Sequence, residues 1–330
     1  MSAEVDARLG IWRIQHRIAL LMGVTALIGI AGCGGNGRPL PVQTDPSPTA
    51  RMAGGGPAHI AVIVMENHEY GDIIGSHAAP YVSSLAQRYG LATGMYAITH
   101  PSLPNYLGLI GGSTFGIDSD CTDCSVDATG LVDQLERAHR SWRAYMEDLP
   151  QAAGGGRAGS RSCFAGASAG DYAKKHDPFA YFTRIIRSRT RCANIVPLSR
   201  LANDERAGSL PRFVWITPNL CHDMHDCSVS TGDRFLCGLV PALLRALGPR
   251  GLLFLTWDEG SSDAGCCRLA SGGHIVTIVA GAGVRAHARL ATPTDHYSVL
   301  QTIEDLLGLT RLRGAACACT PSLQPLLARG

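Results

Sequence analysis

The stretch HIAVIVMENH, residues 59–68, runs a strand's length of unbroken apolar side chains straight into Glu66-Asn67-His68. A strand with one wet face would carry a polar residue at every second position. None interrupts Ile60 to Met65, so both faces are expected to be covered, as in a parallel sheet. LATGMYAIT (91–99), RFVWITP (212–218), GLLFLTWDE (251–259) and HIVTIVAGAGV (274–284) share this character. Amphipathic segments lie between and around them: YVSSLAQRYG (81–90), GLVDQLERAHRSW (130–142), DRFLCGLVPALLRALG (233–248) and HYSVLQTIEDLLGL (296–309). Strand followed by helix, repeated, predicts an α/β fold with a mainly parallel central sheet and helices on both faces. The glycine-rich stretch 113–178 reads as an insertion rather than core.

Open sheets of this kind bind ligands beyond the carboxyl ends of their strands. Polar residues fall at those ends: Glu66-Asn67-His68, Thr99-His100-Pro101-Ser102, Thr217-Pro218-Asn219 and Asp258-Glu259. Glu66, Asp258 and Glu259, with Asn67 beside them, would converge as hard oxygen ligands from separate strands. Carboxylates brought so close repel one another unless a cation holds them, so a divalent metal ion is expected, with Ca, Mg, Mn and Zn all open. Ser102 sits in HPSLPNYLGLIGG (100–112), where flanking prolines restrict the backbone between strand and helix. Metal coordination would make its hydroxyl a nucleophile suited to phosphorus, and a helix N-terminus would offer N–H groups to an anion. An N-cap is the alternative use of such a serine. Ser168 in GASAG matches the G-x-S-x-G elbow only in letters, since no strand precedes it.

The chain of 330 residues has a formal charge of +2, and removal of residues 1–32, with Arg8, Arg13 and Arg17 against Glu4 and Asp6, leaves +1. No nucleic-acid partner is expected from this balance. RIQHRIALLMGVTALIGIAGCGG reads as a lipoprotein signal peptide ending at residue 32, with Cys33 the lipid-bearing residue and membrane anchor. Residues 33–57 read as the lipidated cysteine and a flexible linker, 58–315 as the catalytic domain and 316–330 as a C-terminal tail. The protein is therefore expected to be exported, as a cell-envelope lipoprotein or secreted. The eleven cysteines after Cys33 should then form disulfides that staple long loops, with at least one thiol left over. Cys121-x-x-Cys124 lacks a second pair at zinc-finger spacing.

Seven motifs in order, MENH (65–68), HPSLPNYLGLIGGS (100–113), SWRAYMEDLP (141–150), KKHDPFAYF (174–182), TPNLCHDMHD (217–226), WDEG (257–260) and DHYSVLQTIEDLLGL (295–309), resemble the bacterial phosphoesterase family of secreted acid phosphatases and phospholipases C. The compact acid phosphatases, phosphoinositide phosphatases among them, are the most similar branch. The resemblance implies an alkaline-phosphatase-like fold and a Ser or Thr nucleophile at a helix start. Ser102 matches that place, with Thr99 as the fallback. It also implies Glu66, Asn67, Asp258 and Glu259 as metal ligands, joined by Ser102. His222, His225, His100 and His296 become the candidates for contacting phosphate or protonating the leaving group. Asn105, His176 and Asp226 become candidates for substrate binding, and Asp223 and Asp226 could orient an imidazole or join the metal. His16, His59, His77, His139 and His287 read as bystanders, and His274 as structural.

The function expected is metal-dependent hydrolysis of a phosphate monoester through a phosphoserine, the ester being a small molecule or a lipid headgroup. A phospholipase C-type phosphodiesterase is the nearest alternative, and a solute-binding lipoprotein is the reading from a different class. Sulfatase chemistry would want an arginine that Ser102-Leu103-Pro104-Asn105-Tyr106 lacks.

Overall fold

The computed structural model describes residues 56–150, 163–164, 166–267 and 270–328. The signal segment, Cys33 and all but the end of the linker lie outside the described residues. Within them no helix is long and apolar enough to cross a membrane.

Among the described residues nine strands form one sheet: β1 (His59–Met65), β2 (Gly90–Tyr96), β3 (Trp142–Met146), β4 (Ile195–Pro197), β5 (Phe213–Thr217), β6 (Gly251–Trp257), β7 (His274–Ala280), β8 (Arg289–Leu290) and β9 (Thr294–Asp295). Their spatial order is β8-β2-β7-β6-β1-β5-β3-β4, and β9 also pairs with β2. Every pairing is parallel except those of β7, which runs against both neighbours. Central β1 and β6 are buried along their length from Ile60 to Met65 and from Gly251 to Trp257, which is why neither alternates in polarity.

Helices α1 (Pro80–Arg88), α2 (Ser102–Gly111), α3 (Leu131–Arg137), α4 (Leu201–Arg206), α5 (Val229–Leu247) and α6 (His296–Leu307) surround the sheet. They pack in two groups, α1 and α4 on α5, and α2 on α6 and α3. Asp295 caps α6, accepting the Ser298 amide at 3.1 Å.

Register decides where chemistry can happen. Met65 pairs with Trp257 and Met146 with Thr217, so the chain leaves β1, β6, β3 and β5 at one edge. Because β7 is antiparallel, its first residue, His274, reaches the same edge and pairs with Tyr96 at the end of β2. There His274 stacks between Tyr70 and Tyr96, and its Nε2 meets the Thr93 carbonyl at 2.9 Å. Gly273 just before it has φ +98, and a Cβ there would lie 2.6 Å from the Gly260 Cα. Only glycine suits that crossing of backbones.

Three expectations are corrected. The stretch 113–178 is not merely an insertion, because it supplies α3 and the interior strand β3. Arg143 disguises β3 as polar. Its guanidinium is bound to Asp204, which also accepts the Tyr145 hydroxyl at 2.8 Å and pairs with Arg200 at 3.0 Å. Between described residues the disulfides are mostly short-range. Cys121–Cys124, Cys221–Cys227 and Cys317–Cys319 close tight turns, and only Cys163–Cys192 spans 29 residues among those seen between described residues. Cys266 and Cys267 are free thiols. Residues 316–328, set apart in the sequence as a tail, pack as part of the domain: Leu323 and Leu326 are fully buried, and Gln301 donates to the Thr320 carbonyl at 3.1 Å.

Replacing both Leu323 and Leu326 by alanine should therefore cost about 4 kcal/mol or more, at ~2–5 kcal/mol per buried leucine. Urea unfolding would show it as a lowered midpoint, whereas an undocked tail would leave the midpoint in place.

Candidate active site

Glu66 and Asp258 emerge side by side from β1 and β6 and are fully buried. The Asn67 amide donates to Asp258 Oδ1 at 3.1 Å, and Asn67 itself takes a left-handed φ of 54° to turn the chain. Asparagine tolerates that conformation better than most residues. Ser102 opens α2 and is 1% exposed. Its Oγ lies 3.2 Å from Glu66 Oε2 and 3.3 Å from Glu259 Oε1. Thr99 is placed differently, with its hydroxyl donating to the His100 carbonyl at 3.1 Å.

Asn105, expected to bind substrate, is instead consumed by the loop ahead of Ser102. Its Oδ1 accepts the Ile98 and Thr99 amides at 3.0 and 3.1 Å, and its Nδ2 donates to the carbonyls of Thr99 and Pro101. This amide has no spare capacity for a ligand, so its place is to hold the turn that presents Ser102.

The histidines separate by environment. Buried His176 has Nε2 3.3 Å from Glu66 Oε1 and Nδ1 3.2 Å from Asp223 Oδ2, and it stacks on Tyr106, whose hydroxyl also donates to Glu66. His225 turns Nδ1 to exposed Asp226 at 2.6 Å, and its Nε2 receives Lys175 Nζ at 3.2 Å. One donor atom each from Glu66, His176 and His225 lie within 4.8 Å of one another, an arrangement able to hold a metal ion. The sequence reading gave His176 to substrate and His225 to catalysis, and so missed this grouping. His222 is held at Nδ1 by Glu147 Oε1 at 2.9 Å and stacks on Phe235. Glu147 follows β3 and also accepts the Asn219 amide, but it escaped the sequence reading because β3 did. His100 faces Glu259 Oε2 at 2.5 Å and the Ser262 carbonyl at 3.1 Å.

His296 departs from its expected role. It is fully buried, its Nε2 is committed to the Trp257 carbonyl at 2.9 Å, and burial lowers its pKa to about 4. A neutral, carbonyl-bound imidazole is a tie between α6 and β6 rather than a proton donor to a leaving group.

Electrostatics sharpen the picture. Burial, then Asp258 and Asp223, raises the Glu66 pKa well above the carboxylate range. Burial, then Glu259, lifts Asp258 to about 7, and burial lifts Asp223 to about 8 against the His225 amide bond that lowers it. Burial, then Lys175 and His225, lowers the His176 pKa well below normal. Asn67 Oδ1, Asp258 Oδ2 and His176 Nε2 are buried with no hydrogen-bond partner. Crowded carboxylates and unpartnered lone pairs suit a divalent cation far better than they suit one another.

The sequence profile of the Phosphoesterase family matches residues 75–310. The chain belongs to the Phosphoesterase family. It is 34% identical over 258 residues to the phosphatidylinositol-3-phosphatase of Mycobacterium tuberculosis, covering 77% of this chain and 78% of that protein. It is 30% identical to the phosphate-repressible acid phosphatase of Penicillium chrysogenum over 70% of this chain, which spans 55% of the fungal protein's length. An alkaline phosphatase superfamily structure from Vibrio parahaemolyticus superposes with a TM-score of 0.55 at 10% identity, over 86% of this chain and 74% of that one. The fold is thus alkaline-phosphatase-like, and the protein is a phosphoric ester hydrolase.

The raised carboxyl pKa values fix a sign for stability. Groups whose folded pKa exceeds the unfolded value take up protons on folding, so without metal the fold should strengthen as pH falls from about 8, through Asp223 and Asp258, toward the unfolded range near 4. His296 opposes this only below about 6.5. Calorimetry in chelator should give a higher Tm near pH 6.5 than near pH 8.5, and added divalent cation should raise Tm more at the higher pH, where fewer protons compete. A Tm independent of pH and metal would contradict the clustering.

Proposed function

We propose that the protein is a metal-dependent phosphomonoesterase, exported from the cell, that works through a phosphoserine at Ser102. The carrying observation is the buried Ser102 Oγ within hydrogen-bonding reach of both Glu66 Oε2 and Glu259 Oε1 at the start of α2. A hydroxyl so placed has a carboxylate to take its proton as it attacks. Glu66, Asn67, Asp258, His176 and His225 would hold the divalent cation, which when bound would offset their charge and polarise the phosphoryl group.

Ser102 Oγ attacks phosphorus, its proton passes to Glu259 Oε1, and the ester P–O bond breaks. His100 supplies the proton to the departing alcohol. Burial alone would lower its pKa, but the Ser262 carbonyl and Glu259 outweigh burial and raise it, so this part-exposed imidazole holds a proton more readily than an ordinary histidine. Neutral His100 then takes a proton from the water that hydrolyses the phosphoserine, and Ser102 recovers its own. His222, oriented by Glu147, stands as the second imidazole able to face substrate.

Monoesters are favoured because the similar proteins are named phosphatases, and the mycobacterial one is named for a lipid monoester. Export rests on the N-terminal segment and on the disulfides, with anchoring through Cys33 as its extension.

Ser102→Ala should lower kcat on an aryl phosphate monoester by about a thousandfold or more, with the fold and metal content retained. Thr99→Ala should keep turnover. Activity near wild type in Ser102→Ala would remove the phosphoserine from the scheme.

A further inference from the structure

One acidic residue stands where a substrate anion is wanted. Asp120 immediately precedes the turn closed by Cys121–Cys124, and its Oδ1 accepts the Leu103 amide at 3.0 Å in the first turn of α2. Pro104 has no N–H, so Leu103 is among the few donors this helix end can turn toward an anion beside Ser102. Asp120 Oδ2 accepts Lys175 Nζ at 3.0 Å. The same ammonium touches His225 Nε2 at 3.2 Å, which ties it to the side chains grouped around Glu66. Lys175 and Asp120 are 21% and 28% exposed, so the pair is reachable from solvent without being loose on it.

We propose that Asp120 is an internal placeholder for the substrate phosphate, and that Lys175 is the cation that binds this phosphate once Asp120 is displaced. The inference rests on the phosphomonoesterase reading and deepens it. A carboxylate and a phosphoryl group present oxygens of similar spacing to an amide and an ammonium. Two of a monoester's three non-bridging oxygens can replace Asp120 Oδ1 and Oδ2 at Leu103 and Lys175, leaving the third for the cluster at Glu66. A diester has only two such oxygens and must leave one partner unmet. The pair would therefore select monoesters.

Inorganic phosphate is the probe, its binding measured by titration calorimetry on the full domain at matched divalent-ion content. Asp120→Asn should bind phosphate about tenfold more tightly if the placeholder fills the site in nine molecules of ten. Lys175→Met should bind it about tenfold to a hundredfold more weakly, the worth of one charge-assisted hydrogen bond, and Lys175→Arg should recover part of the loss. Melting curves check that each variant is folded. Weaker or unchanged phosphate binding by Asp120→Asn, or metal loss from that variant, would overturn the placeholder. Unchanged binding by Lys175→Met would reduce the lysine to a counter-charge for Asp120. Turnover of an aryl phosphate monoester by the wild type is scored separately. If the wild type binds phosphate as described but hydrolyses no monoester, the functional reading fails and the placeholder stands.

Discussion

Mutual repulsion among Glu66, Asp258, Asp223 and Glu259 is the constraint on which the rest of the site depends. Placed in water these groups would separate. Here Glu66, Asp258 and Glu259 are fixed just past the ends of buried strands and Asp223 in the turn that follows β5, where low polarity makes each charge more costly and each neighbour more repulsive. The sheet supplies the force that holds them, because the parallel ladders of β1 with β6 and of β3 with β5, packed tightly on both faces, fix where each strand ends. Stability of the core is thus converted into a concentrated demand for positive charge at one edge.

Around that demand the other side chains fall into supporting positions. Asp223 faces Nδ1 of His176 and leaves its Nε2 toward Glu66, while Asp226 faces Nδ1 of His225, whose Nε2 meets Lys175 Nζ. Glu147 orients His222 in the same manner from a different strand. Asn105 locks the turn before Ser102, and Tyr106, one position further along α2, donates to Glu66. A single helix therefore carries the serine, the amide that fixes its approach and a hydrogen bond to its nearest carboxylate. Such rigidity suits a reaction in which positioning and charge stabilisation supply most of the barrier reduction.

Much of this was legible in the chain before folding. Unbroken apolar runs gave away the doubly covered strands, and the polar residues just after them marked the sheet edge. Glu66, Asn67, Ser102, Asp258 and Glu259 could be named because each directly follows a recognisable strand or opens a recognisable helix. Glu147, Asp120 and Lys175 could not. The first follows a strand that Arg143 disguises, and the other two come from loop and single-turn segments without periodicity. The histidines were visible as candidates, but their roles depend on what each ring nitrogen touches.

The sequence by itself determined the α/β architecture and the concentration of acids and a serine at the strand ends, because both follow from local pattern and from the rule that parallel strands finish on the same side. Only the tertiary structure decided that His176 and His225 join Glu66, that His296 and Asn105 are spent on backbone carbonyls and amides, and that Asp120 occupies the head of α2. Contacts at the site join residues as far as 191 positions apart, as in the bond from the Asn67 amide to Asp258. Hydrogen-bond partners and burial at that separation are set by packing in three dimensions, which no local spacing encodes.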